Sequence, residues 1–289
     1  MPKRAASTGN TRSGHGLLGT GPFLRSVQRR AGAAGERFPF SVPAIRALES
    51  LELDTAVTFF VGENGSGKST LLEAIAAAAG LPAVGSEDVE GDATLAEQRT
   101  LGDALRLVWN RRTSRGFFLR AEDFFGFTKR LAVLRAAFLE RLEEIEVTYA
   151  DRSAYAKGLA AGPVRGSLEA LESRYGVDLD ANSHGQSFLR LFQSRFVPGG
   201  LYLLDEPEAP LSPQSQLGLL AMMSDMVRQD AQFIVATHSP IVMAFPGARI
   251  VSFDELPVRT VAYEELESVR LVRDFLAAPE RYLRHLEDR

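Results

Sequence analysis

The chain has 289 residues, of which 45% are hydrophobic, so it is long enough for one large α/β domain or two small ones. It contains no cysteine, which excludes disulfides, thiolate catalysis and cysteine-ligated zinc, and its four histidines are scattered along the sequence. The net charge of −4 is uneven. The first 35 residues hold six of the 33 basic residues and no acid, and the acidic remainder does not favour nonspecific nucleic-acid binding.

Residues 1–20 are small, polar and rich in glycine, and we expect a disordered basic tail ahead of one domain over residues 21–289. The acid-free composition of residues 1–35 also fits an arm that contacts DNA or acidic lipid, or a transit peptide. The start of the chain lacks the apolar segment of a secretory signal, and no run approaches the roughly 18 apolar residues of a transmembrane helix. We therefore expect a cytoplasmic protein with no integral membrane segment.

The next elements surround a glycine-rich loop. Alternation of apolar and polar residues over 23–28 predicts an edge strand, and the apolar run over 57–61 predicts a buried strand. Leu71, Leu72 and Ile75 follow at helical spacing. Between this strand and this helix, residues 62–69 read GENGSGKS and match the phosphate-binding pattern G-x-x-x-x-G-K-[ST].

The residue types of this loop suit the phosphates of a nucleotide. Glycines let the backbone N–H groups converge on an anion, and the positive end of the following helix points to the same place. We expect Lys68 to reach the β- and γ-phosphates and the Ser69 hydroxyl to bind Mg²⁺. The nucleotide-binding residues are then Gly62, Glu63, Asn64, Gly65, Ser66, Gly67, Lys68, Ser69 and Thr70. The alternative is a chance glycine-rich turn between a strand and a helix.

Residues 81–184 are predicted to form a mainly helical insertion. The pattern indicates a helix near residues 101–109, a short strand over 116–119 and a long helix over 122–149. Apolar residues in the long helix recur every three or four positions, which fits an ordinary packed helix or a helical arm. The helix is too short to form a long coiled coil.

Strands and helices alternate through the rest of the chain. Helices are predicted over residues 185–196, 213–227, 264–275 and 279–285, and strands over 201–204, 233–236, 248–253 and 259–263. This alternation predicts an α/β fold with a largely parallel central sheet flanked by helices.

Two of these strands end in residues that suit phosphate chemistry. Asp205 and Glu206 follow the apolar strand over 201–204, at the kind of strand end where open α/β sheets bind ligands. We expect Asp205 to hold Mg²⁺ and Glu206 to orient the water that attacks the γ-phosphate. His238 follows the strand over 233–236 and would meet the γ-phosphate or this water. The alternative is a pair of plain strand ends with solvated turns.

Ser183 and Gly185 lie at the N-terminus of the helix predicted over residues 185–196. A hydroxyl and a bare backbone at a helix N-terminus could form a second anion site, although alone they fit an ordinary helix cap.

Together these segments resemble the ATP-binding-cassette class of P-loop ATPases, which includes the SMC-like ATPases, and a bacterial group of stand-alone AAA family ATPases. The resemblance covers residues 22–287. Residues 62–70 resemble the Walker A motif and residues 201–206 the Walker B motif with its catalytic glutamate. Residues 209–212 stand at the D-loop, His238 at the switch histidine, and residues 183–186 resemble the signature Ser-Gly-Gly-Gln.

This resemblance implies a nucleotide-sandwich homodimer that hydrolyses ATP with Mg²⁺. The implied catalytic residues are Lys68, Glu206 and His238, and the implied metal ligands are Ser69 and Asp205. Ser183 and Gly185 would contact the nucleotide bound to the other subunit. A protein partner is implied, but nothing in the sequence identifies it or the process that hydrolysis drives.

The sequence also departs from this class. His184 replaces a signature glycine, Asn182 replaces the usual leucine, and no glutamine stands at the Q-loop, where Glu122 would take its place. Three alternatives therefore stay open: an ATP-binding subunit of a transporter, an SMC-like ATPase acting on DNA, and a switch that binds ATP without hydrolysis. The acidic body and the lack of a coiled coil argue against the DNA-acting alternative, and the intact Glu206 argues against the last.

Overall fold

The computed structural model of the chain describes residues 21–32, 35–84, 96–175 and 184–284. The prediction of a disordered tail over residues 1–20 lies outside this part of the chain. The strands are β1 (Leu24–Arg29), β2 (Ser50–Glu52), β3 (Val57–Val61), β4 (Leu105–Trp109), β5 (Gly116–Arg120), β6 (Leu201–Asp205), β7 (Gln232–Ala236), β8 (Arg249–Ser252) and β9 (Arg259–Val261). The helices are α1 (Pro43–Ala47), α2 (Lys68–Ala79), α3 (Ala96–Ala104), α4 (Ala121–Thr148), α5 (Ala154–Tyr175), α6 (His184–Arg195), α7 (Pro213–Arg228), α8 (Pro240–Met243), α9 (Glu267–Ala277) and α10 (Pro279–Leu283).

A six-stranded sheet in the order β5-β6-β7-β3-β8-β9 forms the centre of the fold. All its neighbouring strands are parallel except β8 and β9, which are antiparallel. Every residue of β3, β6 and β7 is buried, as expected for parallel strands covered by helices on both faces. The predicted fold class, a mostly parallel sheet flanked by helices with a helical insertion, is therefore confirmed.

Side chains that alternate along β6 and β7 enter two apolar layers, one on each face of this sheet. Tyr202 and Phe233 pack with α6 and α7, and the rings of Phe188 and Phe192 on α6 lie 4.7 Å apart. Leu203 and Ile234 enter the layer that contains Leu71 and Leu72 of α2. Because both layers pack against these strands, the ends of β6 and β7 are held in fixed positions beside the loop after β3.

A smaller antiparallel sheet has the order β2-β1-β4. The prediction of an edge strand near residues 23–28 is wrong, because β1 pairs on both sides and side-chain alternation does not reveal backbone pairing. The buried Gln232 side chain joins this sheet to β7. It accepts the Leu24 N–H at 2.8 Å and donates to the carbonyls of Leu24 and Leu53 at 2.8 and 3.0 Å.

The predicted helix near residues 101–109 is also wrong in its second half. Helix α3 ends at Ala104, and residues 105–109 form β4, paired with β1. Leu105 and Leu107 alternate with Arg106, which suits a strand, and pairing with β1 overrides the short helical pattern. The long helix predicted over residues 122–149 is confirmed as α4.

Helices α4 and α5 form a hairpin between β5 and β6. Ion pairs join the two helices between Arg135 and Glu172, at 2.9 Å, and between Lys157 and Glu146. Leu131, Ile145 and Leu168 are among the buried residues of the hairpin, whereas several of its other apolar side chains are exposed. Within the described ranges, no helix combines the length and apolarity that a membrane crossing requires.

Candidate nucleotide-binding site

The loop between β3 and α2 has the backbone shape that its glycines predict. Gly62 and Gly67 have φ values of 139° and 103°, which residues with a Cβ atom rarely adopt. A Cβ atom on Gly67 would lie 2.7 Å from Val42 Cγ1, and one on Gly62 would lie 2.8 Å from Asp254 Oδ1. Both positions therefore favour glycine by conformation, and a Cβ atom at either would also displace the neighbouring side chain. The loop ends at Lys68, the first residue of α2.

The Lys68 ammonium lies against the interior of this loop. Its Nζ donates to the carbonyls of Gly62 and Glu63, each at 2.7 Å, and the residue is only 4% exposed. Burial lowers the pKa of Lys68, and the nearby carboxylates, chiefly Glu206 and Asp205, raise it in opposition. The side chain is therefore a buried cation beside the loop backbone, where a phosphate would compete for it.

Ser69 and Asp205 bring together the two halves of the predicted metal site. The Ser69 hydroxyl donates to Asp205 Oδ1 at 3.0 Å, across 136 residues of sequence. Burial raises the pKa of Asp205 to about 7; the Ser69 hydrogen bond opposes this shift, and Glu73 and Glu206 add to it. A hydroxyl and carboxylate oxygens in a buried, electronegative cleft fit the oxygen ligands that Mg²⁺ prefers. The residues present therefore fit the Mg²⁺ that the resemblance implies.

Glu206 and His238 lie at the ends of neighbouring strands and face each other. His238 Nε2 is 3.6 Å from Glu206 Oε1, and both side chains are about half exposed, at 40% and 47%. Glu206 has a φ of 50°, in the left-handed region, and its N–H donates to Ala236 O at 2.8 Å. Such strain in a residue with a side chain is typical of functional sites. Strand β7 lies between β3 and β6, so His238 is beside both other parts of the site.

The Ser66 hydroxyl provides a further polar group inside the loop. Its Oγ is buried and has no hydrogen-bond partner among the described residues. Buried polar atoms are usually paired, so a ligand atom would satisfy it. Beside the loop lies a cavity of about 770 Å³, whose walls include residues 62–66, His238, Asp254 and the start of α9. This volume falls in the usual range for ligand pockets.

Sequence reasoning missed an ion pair on the other side of Ser69. Glu73 and Arg120 form a salt bridge with side chains only 7% and 14% exposed, and both residues line the same cleft as Ser69 and Asp205. Glu73 lies four residues after Ser69 on α2, so helical spacing could have placed it here. Arg120 ends β5 and is in register with Asp205, which only the strand pairing reveals.

Glu122, predicted at the position of the missing Q-loop glutamine, lies in the first turn of α4 and also lines this cleft. Its role stays a prediction. Sequence reasoning also missed Asp254, which follows β8. Asp254 Oδ1 accepts the Glu63 N–H at 2.7 Å and so holds the start of the phosphate loop. An acid just after an apolar strand was the available signal.

The signature residues are only partly described. Ser183 lies outside the described residues, and Gly185 lies in the first turn of α6. Their contact with a nucleotide on a second subunit stays a prediction. The other predicted residues, from Gly62 to Thr70 together with Asp205, Glu206 and His238, lie in the loop, in the first turn of α2 or at the neighbouring strand ends.

The chain is similar to one protein-family model and to several individual proteins. A family model described as an AAA domain matches residues 41–102, which include β3, the loop and α2. The ribose import ATP-binding protein RbsA 2 of Burkholderia cenocepacia is 26% identical over 208 residues, covering 68% of this chain and 37% of that protein. The cytochrome c biogenesis ATP-binding export protein CcmA of Rhodopseudomonas palustris is 30% identical over 198 residues, covering 66% of this chain and 82% of that protein.

The chain thus spans little more than a third of the length of the ribose import relative. Among solved structures, an ATP-binding cassette of an ABC transporter in its ADP conformation has a TM-score of 0.43 and 18% identity, covering 83% of this chain and 89% of that chain. The Smc head domain of Pyrococcus furiosus has a TM-score of 0.43 and 12% identity, covering 88% and 99%.

The phosphate loop, the Ser69–Asp205 pair and the parallel sheet define a P-loop ATPase. Within that class, the chain belongs to the ATP-binding-cassette family, which the 30% identity to CcmA over 82% of that relative's length establishes. The family expected from the sequence is therefore confirmed.

Proposed function

We propose that this chain hydrolyses MgATP to ADP and phosphate. The observation that carries the proposal is the hydrogen bond of 3.0 Å between Ser69 and Asp205, because it joins the phosphate loop to the end of β6. Glu206 follows Asp205 directly, and His238 faces it at 3.6 Å. One strand end therefore presents a metal ligand and a base for water side by side.

Each residue of the site has a separate role in this reaction. Lys68 and the loop N–H groups stabilise charge on the β- and γ-phosphates, and Ser69 and Asp205 hold Mg²⁺, which when bound neutralises part of the phosphate charge. Glu206 orients and polarises a water molecule for in-line attack on the γ-phosphorus. The new P–O bond forms as the bond to the β–γ bridging oxygen breaks, and ADP leaves. His238 contacts the γ-phosphate and keeps its position beside Glu206.

Phosphate release from the purified protein tests this proposal. Wild-type protein is expected to release phosphate from MgATP, and this release should stop when EDTA removes the metal. Glu206→Gln should keep nucleotide binding, since the amide is nearly isosteric, but lose at least about a hundredfold in turnover. The matched control is Glu264→Gln on the exposed 3₁₀ turn at Tyr263–Glu265, which should retain wild-type turnover. Undiminished turnover in Glu206→Gln would contradict the assignment of the base.

We further propose that ATP joins two copies of the chain, with Ser183 and Gly185 of one copy against the nucleotide of the other. The supporting observation is the resemblance of residues 183–186 to the family signature, about 20 residues before β6. Glu206→Gln is expected to run as a dimer in MgATP and as a monomer without nucleotide, measured by light scattering during gel filtration. Adding Ser183→Arg should abolish the dimer and leave nucleotide binding largely intact. A monomer at saturating MgATP contradicts this arrangement.

The proposed organisation is one ATPase domain over residues 21–289, with a helical insertion over residues 81–184 that includes the α4–α5 hairpin, in the cytoplasm. A second candidate function is the ATP-binding subunit of a transporter, which the similarity to an ATP-binding export protein favours. Such a subunit would need a separate membrane partner, and the missing Q-loop glutamine counts against it. Capture of partner proteins from a lysate of its own cells, with the ATP-locked Glu206→Gln protein as bait, separates the stand-alone ATPase from the transporter subunit. Recovery of a membrane protein favours the transporter, whereas DNA-stimulated hydrolysis would favour an SMC-like role.

A further inference from the structure

Glu208 has no role in the chemistry described so far, although it lies only two residues after Glu206. Its carboxylate holds the backbone of the histidine loop, which we define as residues 237–240. Glu208 Oε1 accepts the N–H of His238 at 2.7 Å and the N–H of Ser239 at 3.2 Å. The segment after β6 therefore contacts His238 twice, through Glu206 at its imidazole and through Glu208 at its amide.

A second contact holds the other side of the histidine loop. The Ser239 hydroxyl donates to Gln216 Oε1 of α7 at 2.6 Å and accepts the N–H groups of Ile241 and Val242, each at 3.2 Å. Gln216 Nε2 in turn donates to the Leu211 carbonyl at 3.3 Å. The loop is thus attached both to the turn that carries Glu206 and to α7. Of these contacts, only the one from Glu208 reaches the backbone of His238 itself.

The turn after β6 sets the positions of both acids at once. The Ala209 N–H donates to Glu206 O at 3.0 Å, and the Leu211 N–H donates to Glu208 O at 2.8 Å. Hydrogen bonds from N–H groups to an ionised carboxylate are stronger than those between neutral groups. The 3.6 Å between His238 Nε2 and Glu206 Oε1 depends on where this loop lies. A small movement of the loop would therefore separate the two side chains that face the reacting phosphate.

We propose that Glu208 is a positioning residue for the hydrolysis reaction. Its carboxylate fixes the backbone of the histidine loop, so that the His238 imidazole stays beside Glu206 and the γ-phosphate. This inference rests on the proposed function of the site. The competing explanation is that Glu208 only stabilises a loop, in which case its removal lowers stability without a specific effect on turnover.

Amide hydrogen exchange tests the contact without any need for turnover. Exchange at His238 is compared in wild type, Glu208→Ala, Glu208→Gln and the control Glu140→Ala, whose residue lies on the exposed surface of α4. The Ser239 N–H is not used, because it also donates to Thr237 Oγ1 at 3.0 Å. Loss of a charge-assisted hydrogen bond should accelerate exchange about tenfold or more in Glu208→Ala. Glu208→Gln keeps one acceptor oxygen, so it should fall between this variant and wild type. Equal protection in Glu208→Ala and wild type would overturn the proposal.

Kinetics then separate positioning from general stabilisation. Glu208→Ala is expected to lower kcat for MgATP by about tenfold to a hundredfold, the range that a misplaced group can cost, and to change KM much less. Glu208→Gln should recover most of kcat. In a His238→Ala background, Glu208→Ala should lower kcat little further, because the imidazole that Glu208 positions is already absent.

Three outcomes count against the proposal in distinguishable ways. Full kcat in Glu208→Ala despite lost protection would show that the contact is only structural. Equal kcat losses with and without the His238 side chain would show that Glu208 does not act through His238. Wild-type protein that does not hydrolyse ATP would contradict the proposed function itself, whatever the exchange data show. If Glu208→Ala does not fold, Glu208→Gln carries both measurements and should then lie measurably below wild type in protection and in kcat.

Discussion

The strands that carry the candidate nucleotide site are buried along their whole length, whereas the α4–α5 hairpin exposes much of its apolar surface. All residues of β3, β6 and β7 are buried. In the hairpin, Val147 is 77% exposed, Tyr155 is 80% exposed and Leu159 is 69% exposed. Both regions meet where β5 passes into α4, next to Arg120.

The two regions therefore differ in what they contribute to stability and to chemistry. The site contains a left-handed Glu206, a buried Lys68 and a buried Asp205, and each of these costs free energy that the packed sheet must offset. The hairpin carries ion pairs that are mostly exposed, and such pairs contribute little. We therefore expect substitutions in the sheet region to have large effects on turnover or folding, and matched substitutions in the hairpin to have small ones.

The largest expected contrast comes from two lysines. Lys68→Ala removes the buried cation of the phosphate loop and should lower hydrolysis by about a thousandfold or more, since it stabilises charge in the transition state. Lys129→Ala makes the same change on the exposed surface of α4 and should stay within about twofold of wild type. Phosphate release measures both. The rise in melting temperature that MgATP causes should disappear in Lys68→Ala, and an unchanged rise would contradict its assignment.

A second contrast concerns packing alone. Phe192 is fully buried among the aromatic rings of α6 and the sheet, so Phe192→Ala should lower the free energy of unfolding by about 3–5 kcal/mol. Leu159→Ala on the hairpin should cost about 0.5 kcal/mol or less, because the side chain is 69% exposed. Urea unfolding measures both values. Similar costs at the two positions would mean that the hairpin is as tightly packed as the sheet.

The buried carboxylate gives the sheet region its own pH dependence. Burial, as the largest cause, raises the pKa of Asp205 from 3.8 to about 7, so between these values the folded state holds a proton that the unfolded state has lost. Stability from this group is therefore full below pH ~4 and is lost as pH rises towards about 7. In wild type without Mg²⁺, the free energy of unfolding should therefore fall with rising pH by on the order of 1 kcal/mol per pH unit in this range, and Asp205→Asn should remove this slope.

Unfolding measured from pH 5 to pH 8 in EDTA tests this slope. The control is Glu140→Gln on the exposed face of α4, which should leave the slope as it is in wild type. A wild-type slope that persists in Asp205→Asn would place the responsible group elsewhere. Added Mg²⁺ should flatten the wild-type curve, since a bound cation favours the ionised carboxylate.

Local pattern was sufficient for the parts of the site that lie within one strand, turn and helix. The phosphate loop, Lys68 and Ser69 follow from residues 57–80 alone, and Asp205 and Glu206 follow from the end of one apolar strand. The α/β class followed from the alternation of strands and helices. These features depend on residues close together in sequence, where glycine conformation and apolar periodicity act directly.

Features that depend on pairing between distant segments could not be predicted in the same way. Arg120 meets Glu73 across 47 residues and Asp205 across 85, because β5 pairs with β6 in one particular register. The central place of β7, and the role of β4 in the small sheet, likewise depend on strand order. Strand order reflects the packing of whole layers, which no short stretch of sequence contains.

The smallest expected effect lies at the junction of the two regions. Glu122 is in the first turn of α4 and lines the cleft that contains Ser69, Asp205 and Glu206. It is exposed, so solvent screens its charge, and Glu122→Gln should weaken apparent Mg²⁺ affinity in the presence of ATP only about threefold.

Glu140→Gln, on the same helix but far along it, should leave Mg²⁺ affinity unchanged and so serves as the control. The Debye length shortens as ionic strength rises. The difference in apparent Mg²⁺ affinity between the two variants should therefore shrink as salt rises from about 50 to about 500 mM. The apparent Mg²⁺ affinity is measured by titrating Mg²⁺ at fixed ATP and recording the rate of hydrolysis. A loss of a hundredfold or more, insensitive to salt, would instead mean that Glu122 contacts the reacting groups directly and that the chemistry extends into the hairpin. No difference at any salt would mean that α4 begins beside the site without acting on it, and the separation of the two regions would then be complete.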